Sequence, residues 1–524
     1  MHDIFYILTI LTFTIMKKIM NWVLAATLVC GASVFTSCIN DTDDNPAEQA
    51  KKNRKEFIAH TRQNLKEVAE NLNFSSWTGI NHLNNDFNTN VLNNPAFDKT
   101  ISTLFSLAIQ GSIKPVEEGS ELAQKGYQMY AVIDFTAFNF RFKQNADNTG
   151  FDMEPAEDFQ IIFKRSQQEP QDGMGPEGGE RPEAPEGEMP EHGDEYETLL
   201  MKASGSQIDL LASRMSTEQL AVIVRIPTAF EFQIGSLMED GTIRARLTGT
   251  FKNEFASRGT SSFFSMHTDA WNVSGTLQAS VDVPEGEGPQ GGEGPQGPGA
   301  PGAGPKSDAA TLNFAIGQDP ATHEAGVKLG FVHNDRNIVK LRGVMKNLNG
   351  QTDYSQFSSN MSIAQAFAAV MAGNSLEEGT ITLLDDLTTT LKISDCAKVI
   401  QLQNQMASAR RNYADEATIE QYTQQLNQLV SGSMTCQGLS QTIPMKLQTI
   451  KFGIDYWAMP ALNFADENGY VALTDMLDKE SIEYMVNIAD HAAEPMQQSI
   501  ITVRQLMQYL QTMMGNIKSK QAQQ

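Results

Sequence analysis

Positive charge is scarce in this chain: 39 lysines and arginines face 63 aspartates and glutamates, a formal net charge of −24. So acidic a surface repels phosphate backbones and anionic headgroups, which excludes nucleic acid as a partner and excludes membrane attachment by electrostatics alone. Catalytic signatures are missing too. There is no G-x-S-x-G nucleophile elbow and no Walker A loop, and His323-Glu324 opens a zincin-like pattern whose second histidine position holds Val327. The 8 histidines are scattered along the chain, so no metal and no cofactor is assigned. Cysteine is almost absent, with 4 residues: Cys30, Cys38, Cys396 and Cys436.

One stretch imitates a cofactor motif. Gly286 to Gly297 reads GEGPQGGEGPQG, and each half satisfies the G-x-G-x-x-G spacing of dinucleotide sites. That fingerprint needs a strand entering the first glycine and a helix opening at the last. Pro289, Pro295 and Pro298 leave no room for a helix, and the triplet phase of collagen fails at Ala300. The segment is a spacer.

What the sequence does contain begins at its N-terminus. Lys17 and Lys18 form a short basic region, Ile19 to Val34 a mainly apolar one, and Thr36 and Ser37 precede Cys38. The translational start is read at Met16, because Asp3 sits where such a region wants positive charge. This ending resembles the lipobox of bacterial lipoproteins, although Phe35 stands where leucine is usual. The resemblance implies cleavage before Cys38, lipid on its thiol, and a membrane partner held through that lipid. It further implies the outer membrane of a Gram-negative bacterium, and the acidic residues Asp41, Asp43 and Asp44 after the cysteine point to the cell surface rather than the periplasmic face. Residues 1–37 are therefore the signal region and 38–55 a lipidated acidic tether.

Beyond the tether the hydrophobic period defines three regions. Residues 56–115 carry helical spacing at Ile58, Leu65, Val68 and Leu72, then around Phe87 and Val91 and from Phe97 to Phe105. Residues 116–355 alternate with period two in runs such as FNFRFK, FQIIFKR, LAVIVRI, FEFQI and IVKLRGVM, which predicts an antiparallel meander. Two inserts rich in glycine and proline, 168–195 and 285–305, interrupt that region between strand-like runs and read as overgrown hairpin tips. Limited proteolysis with a glutamyl endoprotease is expected to cut there first, leaving a core with nearly unchanged melting temperature; first cuts elsewhere would show the inserts to be packed. Residues 356–524 read as a helical C-terminal region with short strands and an αα-hairpin over 394–436, whose second arm carries the stripe Ile419, Tyr422, Leu426, Leu429. The fold class is thus α+β: a large antiparallel sheet flanked by N-terminal and C-terminal helices. The two strand, insert, strand units could be a remote duplication.

Two cysteines remain once Cys30 leaves with the signal and Cys38 is lipidated. An antiparallel helix pair returns to its starting level, which predicts a disulfide between Cys396 and Cys436. Trp271, Tyr456 and Trp457 are read as core aromatics rather than sugar platforms, and the Phe138, Phe140, Phe142 face as covered by a helix rather than open to lipid. The leading functional reading is a non-enzymatic binding or scaffold lipoprotein. The alternatives are a carrier of an apolar ligand in a groove of the sheet, and a hydrolase with a dispersed active site.

Overall fold

The computed structural model describes residues 46–165, 196–282, 307–347 and 374–484, apart from 73–86, 93, 138, 146, 148, 213–215, 218, 239, 258–259, 266–267, 410–414, 438, 440–441, 453–454 and 482–483. The signal region, Cys38, Phe138, both inserts, the helical segment after Ser359 and the closing helices near the C-terminus fall outside that set. Among the described residues no helix is long and apolar enough to cross a membrane.

The chain opens with α1 (Pro46–Leu72), a π turn (Asn88–Leu92) and α2 (Pro95–Ser112). α1 begins ten residues before the boundary drawn from the sequence, inside the expected tether. Pro46 suits a first helical turn, and Ala50, Asn53, Phe57, Thr61, Asn64, Leu65 and Val68 repeat at helical spacing as its buried face. In α2, Asn94 caps the N-terminus by accepting from the Ala96 backbone N–H, with Pro95 at the first helical position.

There follow β1 (Lys114–Pro115), the single-turn α3 (Glu121–Gln124), β2 (Met129–Asp134), β3 (Phe140–Gln144), β4 (Phe151–Pro155) and β5 (Phe159–Lys164). Four long strands come next: β6 (Tyr196–Leu211), β7 (Leu220–Leu237), β8 (Ile243–Ala256) and β9 (Ala270–Asp282). The series continues with β10 (Ser307–Asp319), β11 (Glu324–His333), β12 (Arg336–Asn347), β13 (Asn374–Leu383) and β14 (Leu387–Ile393). After α4 (Cys396–Ala409) and α5 (Glu416–Leu429) come β15 (Val430–Cys436), β16 (Ile443–Phe452), β17 (Asp455–Asn463) and β18 (Tyr470–Ala472).

All these described strands belong to one sheet of 18. From β5 to β18 each strand pairs antiparallel with the next. The sheet is nevertheless mixed, because β2 joins β7 and β3 joins β5 in parallel. Among the described residues after 355, α4 and α5 accompany β13 to β18, which extend the same meander beyond the short strands expected there. Their short apolar runs, interrupted by threonine and lysine, satisfy a strand that buries one face only.

LAVIVRI and FEFQI, expected as two strands, are the two halves of β7. Pro227 sits between them, where pairing on one edge passes from β2, ending at Asp134 with Arg225, to β8, beginning at Lys252 with Ala229. On the other edge the register slips between Ser204 and Gln207, where Gly205 has φ +82°. The missing N–H of Pro227 therefore falls where the ladder is already broken.

Both inserts connect adjacent antiparallel strands. Lys164 pairs with Tyr196 across the first, and Asp282 with Ser307 across the second. They are hairpin connections, and since β5 and β9 run in the same direction both leave at the same rim of the sheet.

The main core lines one face of β9 to β17. It includes Phe57, Leu65 and Val68 of α1, Val399, Leu402 and Met406 of α4, and Ile419 and Leu426 of α5. A second core is aromatic: Phe97 of α2 meets Phe142 at 5.8 Å and Phe151 at 4.9 Å, both edge to face. Phe142 is fully buried beneath that helix and Phe140 is half-buried.

The Cys396–Cys436 bridge is not formed. Both thiols are free and buried. α5 runs directly into β15, which pairs along β14 from Val430 at Ile393 to Cys436 at Leu387. Cys396 lies beside the first of these rows and Cys436 in the last, six residues or on the order of 20 Å further along. The second arm does return to its starting level, but the chain then continues as a strand that carries Cys436 away.

Candidate functional site

A described cleft lies where β2, β6 and β7 meet α3. It holds about 600 Å³ and is lined by residues of the α2–α3 connection, the three strands and the loop between β8 and β9. Its floor is built by register. Asp134 pairs with Arg225 in the parallel β2–β7 ladder, and Arg225 pairs with Asp209 in the antiparallel β7–β6 ladder. The three form one row across the sheet, acid, base, acid. The next row in the same direction, Val132, Ile223 and Leu211, is apolar.

Arg225 is clamped by Asp209 through two hydrogen bonds, Nε to Oδ1 at 2.7 Å and Nη2 to Oδ2 at 2.9 Å, while Asp134 stands 3.6 Å from Nη1. The Asp209 hydrogen bond raises the guanidinium pKa further above its ordinary value, outweighing its partial burial. Asp134 is itself held by Thr136, whose backbone N–H and hydroxyl both donate to Oδ1, at 2.9 and 2.6 Å. This planar, bidentate geometry fixes the floor and leaves no charge in the row unpaired.

The mouth is fixed by a third carboxylate. Ser120 caps α3, and Glu121 in its first turn accepts from the Ser261 hydroxyl at 2.6 Å, the Ser262 backbone N–H at 2.7 Å and the Ser262 hydroxyl at 2.9 Å, with Lys125 Nζ at 2.9 Å. Burial pushes the Glu121 carboxyl up, but these donors together outweigh it and hold the group down at about 2. They also bolt the β8–β9 loop to α3, setting the half-buried rings of Phe263 and Tyr130 on the cleft walls.

No family model, no curated protein and no solved structure matches this chain. The cleft is therefore read on its own chemistry. Three of its carboxylates are already engaged, Glu121 by the two serines and Lys125, and Asp209 and Asp134 by Arg225. Beside them the space is faced by Lys114, Glu117, aromatic rings and short apolar side chains, while the Ser112 and Ser120 hydroxyls accept from the backbone N–H groups of Val132 and Ala123. That set suits a neutral, hydroxyl-rich or amphipathic ligand.

Acid is expected to loosen this mouth. Glu121 has a folded pKa below its ordinary 4.5, so its contribution is present above that value and lost as pH falls toward about 2. Melting curves of wild type and Glu121→Gln should differ near neutral pH and converge across that interval; a constant difference would show that the serine clamp is not what Glu121 contributes.

The sequence-predicted site residues lie elsewhere. Cys38 is outside the described residues, and Cys396 and Cys436 are far from the cleft. Trp271 is buried in the main core, as expected of a core aromatic. Asp134, Asp209 and Arg225 were legible only as single charges inside apolar strand runs, AVID, QIDLL and VIVRI. A lone charge in a buried strand needs a partner, and that signal marks the residues without saying how they meet.

Proposed function

We propose that the protein is a lipid-anchored lipoprotein of the Gram-negative outer membrane, displayed at the cell surface and acting as a non-enzymatic binding or scaffold protein. In this reading the sheet, flanked by N-terminal and C-terminal helices with α4 and α5 as an αα-hairpin, is a rigid body held from the membrane by lipid on Cys38. The observation that carries the binding role is the fixed charge row under the cleft: its ions pair with one another and hold the floor, leaving the aromatic rings and the polar rim for a ligand. The ligand class is a glycan or similarly hydroxylated molecule stacked on Tyr130 and Phe263.

Two experiments test this together. Cys38→Ala is expected to abolish metabolic palmitate labelling and move the protein out of the membrane fraction, since several acyl chains suffice for stable attachment where one is marginal. Labelling that survives the substitution rejects the anchor. A glycan array probed with the purified protein should give signals lost in Tyr130→Ala; an array without signal, or one indifferent to Tyr130, rejects the ligand class.

A second reading, carriage of an apolar ligand, draws on a different surface. Phe230 and Phe251 stack at 4.7 Å, Phe232 and Phe251 at 5.8 Å, and Phe251 meets Phe314 at 5.4 Å, a belt across β7, β8 and β10. Phe230, Phe232 and Phe251 are only half-buried. Native mass spectrometry of delipidated protein distinguishes the readings: co-purified lipid favours the carrier.

A further inference from the structure

α1 is fastened to the sheet by polar contacts at intervals along its length. Arg54 pairs with Asp466 at 2.9 Å, Arg62 with Asp478 at 3.1 Å, Glu67 with Arg336, and Asn71 with His333 at 3.0 Å. The central fastening is different in kind, for it assembles three metal-ligating groups. His60 Nδ1 lies 3.0 Å from Asp386 Oδ2, and the Cys436 thiol donates to Asp386 Oδ1 at 3.3 Å. All three ligand atoms fall within 4.8 Å of one another. The residues come from α1, the β13–β14 turn and the end of β15, so only the fold unites them.

We propose that His60, Asp386 and Cys436 form a binding site for a borderline-soft divalent cation, zinc being the best fit, which clips α1 to the rim of the sheet. Tetrahedral zinc, with Zn–S about 2.3 Å and Zn–N about 2.0 Å, places neighbouring ligand atoms roughly 3.5 Å apart. The imidazole and the thiol each stand close to that spacing from one oxygen of the carboxylate, His60 from Oδ2 and Cys436 from Oδ1, and bringing the imidazole and thiol together needs a shift of about 1 Å at a side chain that is half exposed. A thiolate and an imidazole select zinc over the oxygen-loving calcium and magnesium. Charge also balances: one thiolate, one carboxylate and one neutral imidazole make a neutral centre with a dication, which suits a partly buried location. The carboxylate has its own supports, Asn64 Nδ2 at 2.8 Å and the Gln437 backbone N–H at 2.8 Å, which orient it as outer-shell donors do.

A nucleophilic role for Cys436 fits less well. Asp386 stands between the thiol and the imidazole, and burial, followed by the Asp386 contact, pushes the thiol up to about 12. Binding would proceed with the thiol proton released to solvent and the neutral imidazole coordinating through an unprotonated Nδ1. One proton leaves for each cation bound.

The purified full-length protein, stripped of metal, is titrated with Co²⁺ and then Zn²⁺. One equivalent of Co²⁺ is expected to give the intense near-ultraviolet absorption of a thiolate-to-cobalt charge transfer, and Zn²⁺ to displace it. Cys436→Ser should abolish the band, His60→Ala should weaken Zn²⁺ binding at least tenfold, and Cys396→Ser should leave both unchanged. Because His60 is half exposed on a helix, its alanine variant keeps the fold even if Cys436→Ser does not. Zn²⁺ should raise the melting temperature of wild type and not of His60→Ala. The proposal is overturned if no charge-transfer band appears, or if the band or the thermal shift is indifferent to Cys436 and His60. Neither result bears on the cleft between α3 and β7.

Discussion

Phe57→Ala is expected to cost about 3–5 kcal/mol of stability, the range for deleting a buried phenylalanine side chain. Phe57 has no exposed surface, and its ring meets Phe464 edge to face at 5.3 Å, with the Arg54 guanidinium 5.5 Å from the centre of that second ring. The substitution removes a fully buried apolar contact between α1 and the end of β17, and the void opens between a helix and a strand end that are fixed by other contacts and so collapse poorly. Arg54 and its partner Asp466, whose side chain is 1% exposed, would lose part of their cover. Urea unfolding followed by circular dichroism should show the midpoint falling with little change in slope. Ile58, one residue along and only partly buried, provides the control, since Ile58→Ala should cost well under half as much. A loss below about 1 kcal/mol at Phe57 would mean that α1 is not part of the cooperative core.

The second large effect concerns a position with no side chain. Gly275 on β9 pairs with Phe251 on β8 and with Phe314 on β10, and those two rings meet over it at 5.4 Å. A Cβ at Gly275 would run into the carbonyl oxygen of Thr250 and stand 2.9 Å from Phe314 Cζ. Backbone cannot yield there without breaking the β8–β9 ladder, so Gly275→Val should destabilise by about 1–3 kcal/mol or more, as overpacking does. Gly326 on β11 offers the contrast, because a Cβ there meets nothing closer than the Gly343 carbonyl oxygen at 4.0 Å. Gly326→Val should be neutral or stabilising, as a β-branched residue suits a strand. If the two substitutions behaved alike, strand propensity rather than the aromatic belt would govern this face.

The sequence by itself determined what depends on near neighbours. Alternation in FQIIFKR or IVKLRGVM follows from side chains pointing to opposite faces of a pleated strand, so the strands from β5 to β12 were recognisable without partners, save that β7 was read as two. The inserts were recognisable as hairpin connections because glycine and proline exclude regular structure while the runs beside them do not. Helical spacing marked α1, though its start was missed because the polar residues Asn53, Thr61 and Asn64 share its buried face and hide the apolar stripe.

What only the tertiary structure decided depends on register, a relation between residues far apart in sequence. Nothing local tells β2 to lie parallel to β7, yet that pairing aligns Asp134 with Arg225 and builds the cleft. Pro227 looked like a strand break until two different partners were seen to meet there. Cys396 and Cys436 looked like a pair because helix geometry alone was considered, and β15 carries one of them to the opposite end of β14. There Cys436 meets His60 and Asp386, residues more than 300 positions apart along the chain. Such encounters are set by which strand edges remain unpaired as the sheet grows, and short-range pattern carries no information about that.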